Sequence, residues 1–257
     1  MGVIAVLAAL LVAVTPAQFL QSRQAADGGF AEPGGPATPG LTAWATLGLA
    51  AAHASSNNAL DYLRAHERGE DPGLLLLAES AVGRPSPGLE DRARAQIGTA
   101  VNRTTWAVLG LRQAGAAVPA QAGRYLLSKQ TRAGGWSWAG TGPPDSNDTA
   151  AAIEALRSLG VEGRPITRAL AFLRALQNRD GGFELTEGRG SDAQSTAWAI
   201  QAFLAAGAQP GRPAYAYLAR LRRRDGSYRY SAAYSVTPVW VTAQVLPAML
   251  ARSFPLR

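Results

Sequence analysis

Two acidic residues, Asp145 and Asp148, stand three positions apart in the run Asp145-Ser146-Asn147-Asp148, just before an alanine-rich segment that opens at Thr149. Carboxyl groups crowded together in a dry pocket raise each other's pKa, which lets one of them hold a proton for acid catalysis. Asn147 weakens this device because it places an amide in the cluster. The same acids also suit a simpler role, since an Asp before a helix accepts hydrogen bonds from the first-turn N–H groups. Capping is the favoured interpretation, with catalysis by Asp145 or Asp148 as the alternative.

A further acid, Asp192, occupies the matching position ahead of the next alanine-rich run. Recurrence favours capping, because a catalytic acid is needed only once. Ser191 and Gln194 also have the spacing of a capping box. Asp192 is therefore predicted to lie at a helix start, and a contribution to ligand binding is kept as the second hypothesis.

Four tryptophans form a second set of residues with chemistry to offer. Each follows a Thr or Pro by two residues, which predicts one common height on four helices: Trp44, Trp106, Trp198 and Trp240. Facing a shared cavity, these indoles would bind an apolar or polyene ligand and could stabilise a carbocation by cation–π attraction. Large aromatic side chains usually pack in a core, and core packing is the favoured interpretation.

A repeat of roughly 45 residues positions these side chains. Its mark is a phrase that occurs three times and once more in degraded form: Gln24 to Phe30, Gln130 to Trp136, Gln177 to Phe183 and Arg222 to Tyr228. Before the phrase, apolar residues recur at helical spacing with polar residues between them, which indicates a helix with one face in water. After it, a Gly-rich stretch leads into a small-residued apolar run that is typical of a buried helix. The unit is therefore an outer helix, a turn and an inner helix.

Six such hairpins are predicted. Their outer helices begin near Gln18, Asn58, Leu89, Pro119, Pro165 and Pro213. Proline suits the first turn of a helix, where its missing N–H has no intrahelical partner to lose.

The pattern Q-x-x-D-G-G-[FW] followed by [ST]-x-[AW]-A-x-x-A-L resembles the repeats of the protein prenyltransferase, squalene cyclase and terpene cyclase group, over nearly all of residues 18–250. The resemblance implies an all-α fold, an (α/α)6 toroid of six hairpins in a single domain over residues 18–257, with a central cavity. It implies that the aromatic residue of each phrase is structural. Cyclases of this group supply their acid from a D-x-D-D motif, and Asp145-Ser146-Asn147-Asp148 is the nearest match, with Asn in place of one acid. Asp145 and Asp148 are thereby the implied catalytic residues.

The composition argues against several functions, namely those that need a zinc site, a cofactor or a nucleic-acid partner. Protein prenyltransferases of the group hold zinc with Asp, Cys and His, whereas this chain has no cysteine and only His53 and His66, so no metal and no cofactor are predicted. The formal net charge is +7, but Lys129 is the sole lysine and the one basic run, residues 220–224, lies at a predicted helix end. No recognition motif accompanies it, which argues against a nucleic-acid partner.

The first seventeen residues differ from the rest of the chain. Residues 3–14 are a continuous apolar run, and Thr15-Pro16-Ala17 supplies the small residues of a cleavage site. The length suits a signal peptide, although a basic start is missing; the alternative is a hydrophobic helix packed on the toroid. We therefore predict that the protein is exported, either to the cell surface or as a secreted protein. Association with a membrane or the cell surface is expected with it. We expect the protein to be a monomer.

Three functions remain open at this point. The first is an exported toroid that binds a small hydrophobic molecule, such as an isoprenoid, another lipid or a cobalamin-like ligand, in its cavity. The second is a terpene-cyclase-type isomerase that uses an Asp acid. The third is a repeat scaffold that binds a protein or a glycan. A fold alone does not choose among them, because function depends on a site.

Overall fold

The computed structural model describes residues 13–256, and in this range the chain forms twelve helices and one pair of two-residue strands. The six inner helices are α2 (Pro39–Ala51), α4 (Pro72–Val82), α6 (Val101–Gln113), α8 (Ser146–Ser158), α10 (Ala193–Ala205) and α12 (Pro238–Met249). The six outer helices are α1 (Pro16–Gln21), α3 (Ala59–Ala65), α5 (Leu89–Ala95), α7 (Ala120–Ser128), α9 (Arg164–Ala175) and α11 (Arg212–Leu221). Strands β1 (Phe183–Glu184) and β2 (Ser191–Asp192) pair antiparallel between α9 and α10.

The inner helices form a closed ring. Each contacts the next along the chain, and α12 returns to contact α2. Each outer helix lies against the two inner helices that precede and follow it, and α1 fills the place between α12 and α2. The prediction of an all-α toroid of six hairpins in one domain is confirmed.

Burial differs between the two layers as the sequence patterns require. The outer helix α9 buries Ile166, Ala169 and Leu173, which recur at intervals of three and four residues along one face. The inner helix α10 buries nearly every residue from 193 to 203, because it is surrounded by neighbouring inner and outer helices. Alanine and glycine make this crowding feasible.

The closest helix approach uses glycine on both sides. A Cβ added at Gly73 of α4 would meet the backbone N of Ala107 at 2.5 Å, and one added at Gly110 of α6 would meet the carbonyl oxygen of Gly73 at the same distance. These two helices therefore touch backbone to backbone, and any side chain at either position would push them apart.

The repeated phrase joins each turn to the next hairpin. The Gln130 side chain donates from Nε2 to the carbonyl oxygens of Gly134, at 2.7 Å, and Pro165, at 2.8 Å, which ties its own turn to the start of α9. The Trp136 N–H then donates to Thr149 Oγ1 of α8 at 2.9 Å. The same 2.9 Å bond recurs from Phe30, Phe183 and Tyr228 to Thr42, Thr196 and Thr242. These aromatic residues are buried, in keeping with the structural role that the resemblance implies.

The start of the described chain is built into the ring. Thr15 caps α1, and the carbonyl oxygen of Val14 accepts a hydrogen bond from Arg222 at 3.0 Å. The predicted cleavage boundary after Ala17 falls inside α1, so a cut there would remove the cap and this contact. Residues 1–12, which hold most of the predicted signal segment, lie outside the described residues.

Of two local predictions about helix starts, one needs correction. Helix α8 begins at Ser146 rather than at Thr149, because Asp145 caps it by accepting the Asp148 N–H at 2.8 Å. The prediction that Asp192 caps α10 is confirmed, since Asp192 has the extended backbone of a capping residue and accepts the Ser195 N–H at 2.7 Å, whereas the Ser191–Gln194 spacing does not mark the cap.

Candidate functional site

A cavity of about 240 Å³ opens at the end of the toroid where the inner helices begin. Its wall comes from the first two turns of five inner helices, with Trp138 and Leu185 from the turns between them. Trp138 is 55% exposed, so it stands at the rim. The residues that line the cavity are Trp44, Asn102, Trp106, Trp138, Asp145, Asn147, Asp148, Ala151, Leu185, Gln194, Trp198, Trp240 and Gln244.

The four tryptophans meet on the toroid axis and form the floor of this cavity. The Trp44 ring lies 5.4 Å from Trp106, 5.7 Å from Trp198 and 5.9 Å from Trp240, measured between ring centroids. These separations fall within the range of favourable edge-to-face and tilted aromatic pairs. Both hypotheses for these residues therefore hold in part: the indoles pack against one another, and all four also line the cavity.

Two polar side chains hold the indoles in place. Trp106 donates from Nε1 to Asn102 Oδ1 at 3.0 Å, and Trp198 donates from Nε1 to Gln244 Oε1 at 3.0 Å. A buried indole N–H without an acceptor would be costly. These two bonds therefore satisfy the indole N–H groups of Trp106 and Trp198 and also hold both rings in position.

The acid pair lies on one wall of the cavity, at the start of α8. Asp145 serves as the helix cap, while Asp148 sits in the first turn, where its side chain accepts a hydrogen bond from Asn102 Nδ2 at 3.1 Å. Burial and the negative charge of Asp145 raise the pKa of Asp148 to about 8, with the hydrogen bond from Asn102 acting in the opposite direction. Asp148 therefore holds its proton at much higher pH than an ordinary aspartate does.

Asn102 is one of the site residues that sequence reasoning missed, together with Trp138 and Gln244. It links the acid to the floor, because one end of its amide contacts Asp148 and the other contacts Trp106. Its own N–H donates to the carbonyl oxygen of Trp138 at 3.0 Å. The available signal was its place four residues before Trp106, one helical turn away on the same face.

Asp192 does not line the central cavity. It lies in a separate cleft of about 360 Å³ together with Asp180, Arg189 and the tyrosines Tyr217, Tyr230 and Tyr234. Its two carboxyl oxygens accept from the N–H and hydroxyl of Ser195, and burial raises its pKa. Asp192 is a helix cap, and a ligand role would belong to this outer cleft.

The histidines take local roles. His66 stacks on Tyr62 with 4.2 Å between ring centroids, and His53 Nε2 lies 2.8 Å from an Arg252 guanidinium nitrogen. Among residues 13–256, no three His, Asp or Glu side chains are grouped so that they could hold a metal ion. No helix in that range has the length and apolar character needed to cross a bilayer.

Comparisons with known proteins agree on the fold. No protein-family model matches the chain. A variant of the type II terpene cyclase MstE from Scytonema, solved with geranylgeranyl dihydroxybenzoate, aligns with a TM-score of 0.65 and 15% identity over 92% of this chain and 95% of that one. A protein from Actinoplanes gives 0.62 and 19% over 92% and 97%. The ent-copalyl diphosphate synthase from Streptomyces platensis gives 0.59 and 18% over 83% of this chain and 50% of that one.

A curated relative adds a sequence match. Drimenyl diphosphate synthase from Streptomyces showdoensis is 38% identical over 123 residues, which is 42% of this chain and 22% of that protein. The match thus spans about a fifth of the relative's length. Together these comparisons confirm the resemblance to the terpene cyclase group: the chain has the fold of the type II terpene cyclases.

Proposed function

We propose that the central cavity binds the hydrocarbon part of a small isoprenoid. The observation that carries this proposal is the cavity itself, an indole floor beneath a wall that holds a carboxyl group of raised pKa. An apolar pocket with a few convergent polar groups and a perturbed acid is the usual form of a ligand site. Two wider grooves on the outside of the toroid, about 570 and 580 Å³, have no tryptophan in their walls.

The size of the cavity limits the ligand. At about 240 Å³ it lies below the range of roughly 300–1,000 Å³ that is typical of drug-sized ligands. A short chain fits, and a longer chain would leave one end in the mouth beside Trp138. A corrinoid is far larger than this space, so the proposal does not extend to a cobalamin-like ligand.

The comparisons support an isoprenoid over other lipids. One structure with this fold was solved with geranylgeranyl dihydroxybenzoate, and the curated relative is a drimenyl diphosphate synthase. An indole floor also suits alkenes, because its π faces contact flat unsaturated carbons along a large apolar area. We further propose that the protein acts outside the cytoplasm, supported by the apolar run of residues 3–14.

Proton-initiated cyclisation is the second candidate, and the proton on Asp148 favours it. The acid would add its proton to an alkene carbon, and the tryptophans would stabilise the resulting carbocation. The raised pKa also works against this reaction, because each unit above the ordinary value reduces the driving force for proton release by about 1.4 kcal/mol. Asn147 further weakens the acid cluster because it stands where a third carboxyl group would be. Binding without turnover is therefore placed first.

Native mass spectrometry with product analysis tests both candidates. The full chain is incubated with geraniol, farnesol and geranylgeraniol, and the bound and released molecules are identified. A 1:1 complex with unchanged alcohol supports binding. A cyclised product that disappears in Asp148→Asn promotes the second candidate. Retention of none of the three alcohols contradicts both and favours a scaffold role.

A further inference from the structure

The chain turns back under the toroid after α12. The Ala251 N–H donates to Ala248 O at 3.1 Å and the Arg252 N–H to Pro247 O at 2.9 Å, which is the hydrogen-bond pair of a Schellman motif. This reversal carries the C-terminal segment, residues 250–256, across the end of the ring opposite to the cavity mouth. Phe254 within it is only 2% exposed.

Phe254 supports the cavity floor from behind. Its ring centroid lies 5.9 Å from that of Trp198 and 6.2 Å from that of Trp44. Both tryptophans line the cavity, whereas Phe254 does not. The phenyl ring therefore sits beneath the indoles and stops them from moving away from the mouth.

Glu154 anchors the segment from α8. It is fully buried one helical turn beyond Ala151, which lines the cavity, and its Oε2 accepts the Phe254 N–H at 3.3 Å. Burial raises the pKa of Glu154 well above its ordinary value, which favours the neutral form of this buried side chain. Its Oε1 has no hydrogen-bond partner within residues 13–256, which leaves the bond to Phe254 as the contact that this acid makes.

We infer that residues 250–256 form the base that supports the cavity floor and that Phe254, acting through Trp44 and Trp198, sets the length of the hydrocarbon chain that the cavity accepts, with Glu154 as its positioning residue. This inference rests on the proposed function. Removing a large buried side chain can open a cavity of about 150 Å³ that holds a benzene-sized guest. An isoprene unit has five carbons, so the space left by the Phe254 ring would let Trp44 and Trp198 move back and lengthen the cavity by about one unit.

The test compares chain-length preference between matched variants. Binding of geraniol and farnesol is measured by calorimetry for the wild type, Phe254→Ala and Phe254→Leu. We expect Phe254→Ala to shift the farnesol-to-geraniol affinity ratio at least tenfold toward farnesol, and Phe254→Leu to give a smaller shift with less risk to folding. Phe203→Ala is the control, because Phe203 is equally buried but packs on Phe183, away from the cavity.

Two Glu154 variants separate positioning from general packing. Glu154→Gln keeps an acceptor for the Phe254 N–H and should retain the wild-type ratio. Glu154→Ala removes it and should shift the ratio in the same direction as Phe254→Ala. An unchanged ratio in folded Phe254 variants, or an equal shift in Phe203→Ala, would overturn the inference while leaving the proposed function intact. Failure of the wild type to bind either alcohol would overturn both.

Discussion

At the residue scale, the acid Asp148 gains its properties from its neighbours. Its own type and spacing allow either capping or catalysis, and the structure divides these roles between two residues: Asp145 caps α8, and Asp148 faces the cavity with a raised pKa. The side chain that hydrogen-bonds to it, Asn102, lies 46 positions earlier. Contacts of this range depend on how the ring closes, so local sequence patterns could not reveal them.

The raised pKa of Asp148 makes a prediction about stability. Between the ordinary value of 3.8 and the folded-state value of about 8, the folded chain holds this proton and the unfolded chain has released it. Unfolding then releases a proton, and the contribution of Asp148 to the free energy of unfolding falls as the pH rises, by at most about 1.4 kcal/mol per pH unit. Asp148→Asn removes the titration, so the variant should become more stable relative to the wild type as the pH rises.

Urea denaturation at pH 5 and pH 7.5 measures this difference. Asn can still accept the Asn102 hydrogen bond through its amide oxygen, which makes the variant a near-isosteric control for packing. Parallel stability changes in the two proteins between these pH values would show that Asp148 titrates like an ordinary exposed carboxyl.

At the element scale, five of the six inner helices share one ending. In α2, α6, α8, α10 and α12, the second residue after the last helical turn has a positive φ and the next N–H returns to the carbonyl of the last turn. Glycine supplies this conformation at Gly115, Gly160 and Gly207, whereas α2 uses His53 and α12 uses Ala251. Residues with a Cβ pay a steric cost in the left-handed region.

Substitutions at two of these positive-φ positions, Ala251→Gly and Gly160→Ala, should change the free energy of unfolding in opposite directions. Ala251→Gly relieves the strain at φ 53° and is expected to raise the free energy of unfolding by about 0.5–1 kcal/mol. Gly160→Ala introduces the same strain at φ 79° in open space and should lower it by about 1 kcal/mol. Thermal and urea unfolding of both variants check the pair, and a change of the same sign in both would contradict the account.

At the scale of the whole molecule, the ring is closed by contacts between the two ends of the chain. Glu32 in the first turn accepts the N–H groups of Val239, at 3.0 Å, and Trp240, at 2.8 Å, and thereby caps α12. Arg222 reaches the carbonyl of Val14 on the other side. The basic run that the sequence shows is thus partly used to bind backbone carbonyls of the protein itself.

The repeat made the number and order of the hairpins predictable, whereas the arrangement of side chains at the centre of the ring could not be predicted. A recurring phrase gives the number and order of hairpins because each copy implies the same turn and the same buried helix. The position of Trp44 predicts its height along the axis, but whether an indole points inward depends on the rotation of its helix against both neighbours. The base under the floor depends on Phe254, which belongs to no repeat.

The central claim is that the indole floor binds a hydrocarbon ligand, and one calorimetric comparison tests it most directly. Geraniol is titrated into the wild type, Trp44→Phe and Trp136→Phe. Trp44 contacts three other tryptophans in the cavity floor, whereas Trp136 is buried in a repeat turn, where its Nε1 donates to Leu126 O. We expect Trp44→Phe to weaken binding about tenfold, equivalent to 1.4 kcal/mol, and Trp136→Phe to lower stability without changing affinity. Equal affinity in all three proteins, or an equal loss in both variants, would contradict the claim.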